Sequence, residues 1–340
     1  MTTSGRVRRP TMRDVATHVG VSQTLVSLVF RNAPGPSKET REKVIRAAAE
    51  LGYRPDTAAQ VLRSNRSMRV GVLFSMQQPY EVDLVEALYP AAKRRGYTVL
   101  LGALVPGRDQ RAAVEDLLGS RCEAVIVIGP GRDEHQLIEL ARQLPVVYIG
   151  RRLGGGTVNA VRGADSRGAQ LAVDHLVGLG HRDIVHVDGG SRAGAADRRR
   201  GYRAAMRRHG LAEHIRILVG DLTEESGSSA ARTLLGEVAL PTAVFAANDR
   251  CAHGLLVTLV RAGVAVPEQV SVVGYDDSRI ARLSYLDLTS IRQDVAEMAE
   301  LAFRIVVERL DAGRTTSQDL VLAPTLVVRG STTGPGGPLR

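Results

Sequence analysis

TMRDVATHVGVSQTLVSLVFR, residues 11–31, decides how this chain begins to fold. Thr11 with Asp14 three residues on reads as a capping box, which predicts a helix starting at Met12. Val15, Ala16 and Val19 fall on one face, and Gly20 can take the positive φ that stops a helix. Ser22 then caps a second helix, in which Val26, Val29 and Phe30 form the stripe to be buried. Two short helices joined by a glycine turn make a helix-turn-helix, whose second helix lies in a DNA major groove. Gln23, Thr24, Ser27 and Arg31 share the face away from that stripe, and their side chains can hydrogen-bond base edges or phosphates. An ordinary helical hairpin with a solvated polar face would carry the same pattern. The surrounding chain has to decide.

Downstream, a third helix is predicted from Ser37 to about Leu51, with Val44, Ala48 and Leu51 at helical spacing. Gly52 ends it and Pro55 forbids its continuation. The segment Asp56 to Arg63 can form one or two helical turns, too few to be stable in water unless something packs against them. Residues 1–67 hold 12 Lys and Arg against 5 Asp and Glu, so this short region carries +7 of the formal +9. A basic module on a nearly neutral body is the footprint of a phosphate-binding head. Arg6, Arg8 and Arg9 read as a basic tail that orders only on DNA.

From Met68 onward strands and helices alternate. RVGVLFS, TVLLGAL, AVIVIG and VVYIG read as strands with helices between them. A second set runs from about Ala164 through DIVHVDG, ILVG, AVFAAN and VSVVGYDD. This alternation predicts parallel sheets, whose ligands bind beyond the carboxyl ends of the strands. Ser75 and Tyr80 follow the first strand, Arg151 follows VVYIG, Asn248 follows AVFAAN, and Asp276 ends VSVVGYD. Arg198 opens a helix of the second set. These six are the candidate small-molecule contacts, since amide, carboxylate and guanidinium groups together can fork onto hydroxyls or amides. Asp249 and Asp277 are expected to cap a helix and a turn instead.

TMRDVATHVGVS, TLVSLVF, PSKETREKV, AAAELGYRPD and AAQVLRS, in this order before RVGVL, resemble the headpiece and hinge of the lactose-repressor (LacI/GalR) family of bacterial transcription regulators. The resemblance covers nearly the whole chain. It implies an α/β protein with an N-terminal helix-turn-helix headpiece and a periplasmic-binding-protein-like (type I), two-lobed effector domain. The expected boundaries are headpiece 1–54, hinge 55–67 and effector domain 68–340. Lobe 1 would take about 68–163 and 290–322, and lobe 2 about 164–289 and 323–333. The resemblance further implies base reading by Gln23 and Thr24, with phosphate or base contacts from Ser22 and Ser27; Thr11 and Arg31 are further candidate DNA contacts. It implies a minor-groove wedge from Leu62, and effector contacts from Arg198, Asn248 and Asp276 with an aromatic near Tyr80 stacking on the ligand. Many members have Thr, Arg and Asn where this chain has Leu25, Leu28 and Arg31, so its operator should differ.

The expected activity is therefore a sequence-specific regulator, a repressor, acting as a homodimer on a near-palindromic double-stranded operator under control of a small-molecule effector. A small sugar or sugar derivative is the leading expectation for that effector. Leu222 after Gly220-Asp221 and Val295 after Gln293-Asp294, where other members carry aromatics, imply a less aromatic pocket than a typical hexose site. No export signal or long apolar stretch is read, so a cytoplasmic location without membrane contact is expected. Cys122 and Cys251 lack ligand spacing, and no phosphate loop, dinucleotide fingerprint or nucleophile elbow occurs, so neither enzyme, cofactor nor metal is expected. Two rival classes stay open at this stage: a solute-binding receptor-like protein without specific DNA binding, and an α/β enzyme.

Overall fold

The computed structural model describes residues 10–31, 33–54, 66–129, 133–154 and 157–336, in two units, Met1–Ser67 and Met68–Arg340. Leu62 and the short helix expected over 56–63 lie outside the described residues.

The first unit holds α1 (Met12–Val19), α2 (Gln23–Phe30) and α3 (Lys38–Glu50). Thr11 and Asp14 form the capping box reciprocally, and Gly20 ends α1 at φ 73°. Ser22 and Ser37 cap α2 and α3 through their hydroxyls. Val15, Ala16, Val26, Val29, Val44, Ala47, Ala48 and Tyr53 close a small core, with Val19, Phe30 and Leu51 half-buried at its edge. The rings of Phe30 and Tyr53 meet at 5.5 Å, tilted by 59°.

The second unit contains two six-stranded sheets. The first is built from β1 (Arg69–Ser75), β2 (Thr98–Leu104), β3 (Ala124–Ile128), β4 (Val146–Ile149), β5 (Asn159–Gly163) and β11 (Asp319–Leu322), in the order β11-β5-β4-β3-β1-β2. All its pairings are parallel. One face is covered by α4 (Pro79–Arg94) and α11 (Val295–Leu310), through Leu84, Leu88, Met298 and Phe303. The other face is covered by α5 (Gln110–Gly119) and α6 (Glu134–Gln143). The second sheet is built from β6 (Ile184–Val187), β7 (Arg216–Leu218), β8 (Ala243–Ala246), β9 (Ser271–Asp276), β10 (Thr289–Arg292) and β12 (Thr325–Val327), in the order β12-β10-β9-β8-β6-β7. Here β12 runs antiparallel to β10. Its helices are α7 (Asp165–Gly178) and α8 (Ala195–Arg208) on one face, and α9 (Glu224–Leu235) and α10 (Asp249–Arg261) on the other. Strands covered on both faces read as continuous apolar runs, which is why AVIVI and VSVVGY stand out in the sequence.

The chain passes between the sheets three times, after Gly163, after Arg292 and after Leu322. Two details differ from the sequence reading. Thr289–Arg292 pairs with β9 in the second sheet, so the return to the first lobe comes a few residues later than Ser290. Side chains fix this placement: Ser290 Oγ donates to Asp249 Oδ1 at 2.6 Å, and Thr289 Oγ1 donates to the Arg329 carbonyl at 3.1 Å. Strand β5, unread in the sequence, exists because Asn159 Nδ2 donates to the Val146 carbonyl while its Oδ1 accepts from Gln318 N. No helix among the described residues is long and apolar enough to cross a membrane, and no His, Cys, Asp and Glu cluster there could hold a metal.

Candidate effector cavity and DNA-reading face

In the first unit, Gln23 and Thr24 are exposed on the first turn of α2. Thr11 and Ser22 are exposed too, but their hydroxyls cap helices: Ser22 Oγ accepts from Leu25 N at 3.2 Å, and Thr11 Oγ1 donates to Asp14 Oδ2 at 2.7 Å. The Ser27 carbonyl accepts from Arg31 Nε at 3.3 Å, which holds the guanidinium along the helix end. Leu25 and Leu28 are half-buried.

In the second unit, a cavity of about 60 Å³ lies between the two sheets. Its lining comes from the carboxyl ends of the strands and the segments that follow them, the position expected of a ligand site in parallel α/β sheets. Tyr80 and Glu81 come after β1, Gly129 after β3, Gly150 after β4 and Asp165 after β5. From the second sheet come Arg192 and Arg198 after β6, Leu222 after β7, Asn248 after β8, Asp276 at the end of β9 and Gln293 after β10.

Arg198 is the hub. It is 5% exposed, with Nε donating to Asp165 Oδ1 at 2.8 Å and Nη1 to the Ala247 carbonyl at 2.6 Å. Its guanidinium lies 3.8 Å from the Tyr275 ring centroid and 3.8 Å from Asp276 Oδ1. Burial pulls its pKa down, but the Asp165 and Asp276 carboxylates outweigh that and hold it above the ordinary arginine value. Asp276 has φ 107°, a strained backbone for a residue with a side chain, and its Oδ1 accepts from Gln293 Nε2 at 2.9 Å. Burial raises the Asp276 pKa because Arg198 is too distant to compensate fully. Asp249 behind it is raised likewise, by burial and then by the Asp276 charge.

Of the six expected ligand contacts, Tyr80, Arg198, Asn248 and Asp276 line the cavity and Ser75 and Arg151 do not. Ser75 is taken up by its own turn, with Oγ accepting from Gln77 N. Arg151 pairs with Glu134 at 2.5 Å and sits over the Tyr148 ring. Asn248 has a second duty, because its Oδ1 caps α10 by accepting from Cys251 N at 2.9 Å. The capping role expected of Asp249 is therefore corrected. Asp249 instead accepts from Ser278 N and Ser290 Oγ, pinning the turn between β9 and β10. Asp277 accepts from Arg292 Nε and Arg329 Nη2, both at 2.6 Å, as an ionic node rather than a cap.

The sequence reading missed Glu81, Asp165, Arg192 and Gln293. Pro79 was the available signal for Glu81: proline favours the first helical position, so α4 starts there and turns its first-turn acid toward the sheet. Burial pushes Glu81 up to about 8, against the Ser75 N–H and the Arg192 charge. Two clasps join the lobes beside the cavity. Arg279 donates to Asp83 Oδ1 at 2.6 Å and to Glu86 Oε1 at 3.1 Å, and Arg250 donates to the Gln77 carbonyl at 2.7 Å.

Residues 11–56 match the model of bacterial regulatory proteins of the lacI family, and residues 173–332 match that of the periplasmic binding protein-like domain. The HTH-type transcriptional repressor PurR of Erwinia tasmaniensis is 32% identical over 94% of this chain and 96% of its own. The crystal structure of a LacI transcriptional regulator from a Rhodococcus species is 48% identical over 78% of this chain and 98% of its own, with a TM-score of 0.76. The lac repressor dimer, bound to operator and the anti-inducer ONPF, is 29% identical over 96% of this chain and all of its own, with a TM-score of 0.81.

Proposed function

Since this chain belongs to the lacI family of bacterial regulatory proteins and is a DNA-binding transcription regulator rather than an enzyme, we propose that it represses as a homodimer under effector control. The observation that carries this reading is the cavity, where charged and amide side chains from both sheets converge on one small space. A ligand engaging both sides alters the free energy of lobe closure, and it shifts the protein between states only by its differential affinity for them. The basic helix-turn-helix supplies the output. Two copies would read the half-sites of a near-palindrome through Gln23 and Thr24, with Thr11, Ser22, Ser27 and Arg31 holding the backbone. Leu62 would enter the minor groove between the half-sites as a wedge. Such a protein works where the chromosome is, in the cytoplasm.

Selection from a random double-stranded DNA library with the full-length protein, at fixed salt, tests this. Recovery of a palindromic site whose affinity changes with a metabolite pool is the expected result. Ligand binding at the cavity with no recovered motif would favour a receptor without specific DNA binding.

A further inference from the structure

Along α2 and its C-cap, Thr24, Ser27, Leu28 and Arg31 stand at positions i, i+3, i+4 and i+7, so they form one stripe on the helix surface. Three of them can hydrogen-bond, and the fourth is a leucine. The core stripe of the same helix, Val26, Val29 and Phe30, lies on the far side. Among the described residues, Met12, Val19, Val21, Phe30 and Leu51 are the half-buried apolar side chains packed against the headpiece core. Leu25 and Leu28 are half-buried as well, yet neither joins that core. Leu25 stands at the border of the core stripe, whereas Leu28 follows Thr24 by one turn and lies within the polar stripe. Apolar stabilisation scales with the area taken from water, so a leucine outside the core gains little for folding. What can cover it further is whatever α2 is laid against.

The chemistry of the major groove names that contact. Leucine neither donates nor accepts a hydrogen bond. Set against the N7 and O6 of guanine, the N6 amino group of adenine or the N4 amino group of cytosine, it would desolvate a polar edge and leave it unpaired. The C5 methyl of thymine is the apolar group that the groove presents. Arg31 does not take over the position, because its Nε donates to the Ser27 carbonyl at 3.3 Å and the guanidinium follows the helix end.

With α2 lying in the major groove, as proposed above, we propose that Leu28 is a specificity-determining residue that reads the C5 methyl of a pyrimidine. Each operator half-site then carries a thymine opposite Leu28, recognised by its methyl group rather than by its hydrogen-bonding edge. 5-Methylcytosine satisfies the same contact, and uracil or unmethylated cytosine does not.

The test takes the operator recovered by library selection and titrates it with the full-length protein at fixed salt. Thymine is exchanged for deoxyuridine at one symmetric position at a time, which removes the methyl and nothing else. At one position the exchange should weaken binding about fourfold in one half-site and about fifteenfold in both. There, 5-methylcytosine should bind more tightly than cytosine. Leu28→Ala should bind the thymine and deoxyuridine operators equally, with unchanged melting, while Leu25→Ala keeps the difference. If Leu28→Ala melts lower, Leu28→Gln carries the same comparison. A wild-type protein indifferent to every exchange overturns the proposal, whatever the variants do. So does a methyl penalty that persists in Leu28→Ala, or an affinity loss in that variant that is equal on all DNAs. In those cases a specific loss in Gln23→Ala would still keep α2 in the groove. An operator insensitive to both substitutions, or no recovered operator, would remove that placement together with the proposal.

Discussion

Arg198 shows how a single residue ties stability to the shape of the cavity. It is a buried cation held by Asp165, Asp276, a carbonyl and an aromatic face. Removing one partner of such a cluster strands the others as uncompensated buried charge. Arg198→Met should therefore lower the unfolding free energy by about 3–5 kcal/mol, read from urea denaturation with the slope held in common. Glu81 makes the opposite kind of contribution. Its carboxyl is raised to about 8 in the fold from an ordinary 4.5, so between those values the folded state binds more protons than the unfolded chain. Stability then falls as pH rises from about 4.5 to 8, and levels off above the folded value. Urea titrations at pH 5.5 and 8 should show the loss, and Glu81→Gln should reduce it. An unchanged slope in that variant would exclude Glu81 as its source.

Helices meet closely only where their sequences permit. At the crossing of α9 and α10, a Cβ on Gly227 would lie 2.0 Å from the Cys251 carbonyl oxygen, and one on Gly254 would lie 1.9 Å from that of Glu224. These two glycines let the helix backbones touch over the second sheet. Gly254→Ala must push the helices apart and should cost about 1–3 kcal/mol, visible as a lower melting temperature. On α2 the argument concerns recognition rather than packing. Gln23 is exposed and caps nothing, so Gln23→Ala should leave melting unchanged and weaken the selected operator by about 1–3 kcal/mol in a titration against nonspecific DNA. Equal losses on both DNAs would assign Gln23 to the phosphates. Helix positions were the most legible part of the sequence, because caps and glycine stops are local: Ser37, Gly52 and Gly96 act where the sequence reading puts them. Strand β5 was illegible because NAVRG has no apolar run, and it becomes a strand only through its neighbours β4 and β11.

For the whole molecule, the proposed effector control acts through how the two sheets close over the cavity. Arg279 reaches from the second lobe to Asp83 and Glu86 on α4, in a partly exposed cluster whose strength depends on salt. Arg279→Ala should enlarge the radius of gyration of the ligand-free protein at low salt, measured by small-angle scattering. High salt should reproduce the change in the unmodified protein. No difference in either comparison would make the clasp incidental to closure.

Sequence by itself determined the class of elements, the basic helix-turn-helix with its caps, and the strand ends around which the cavity forms. These rest on contacts within a few residues and on hydrophobic periodicity. It also marked four of the cavity residues, Tyr80, Arg198, Asn248 and Asp276, because strand ends are local features. The tertiary structure alone decided that Ser75 and Arg151 face other partners, that Thr289–Arg292 belongs to the second sheet, and that Glu81 and Arg192 line the cavity together. Those outcomes depend on which side chains remain unsatisfied once distant segments have packed, and a linear sequence does not carry that competition.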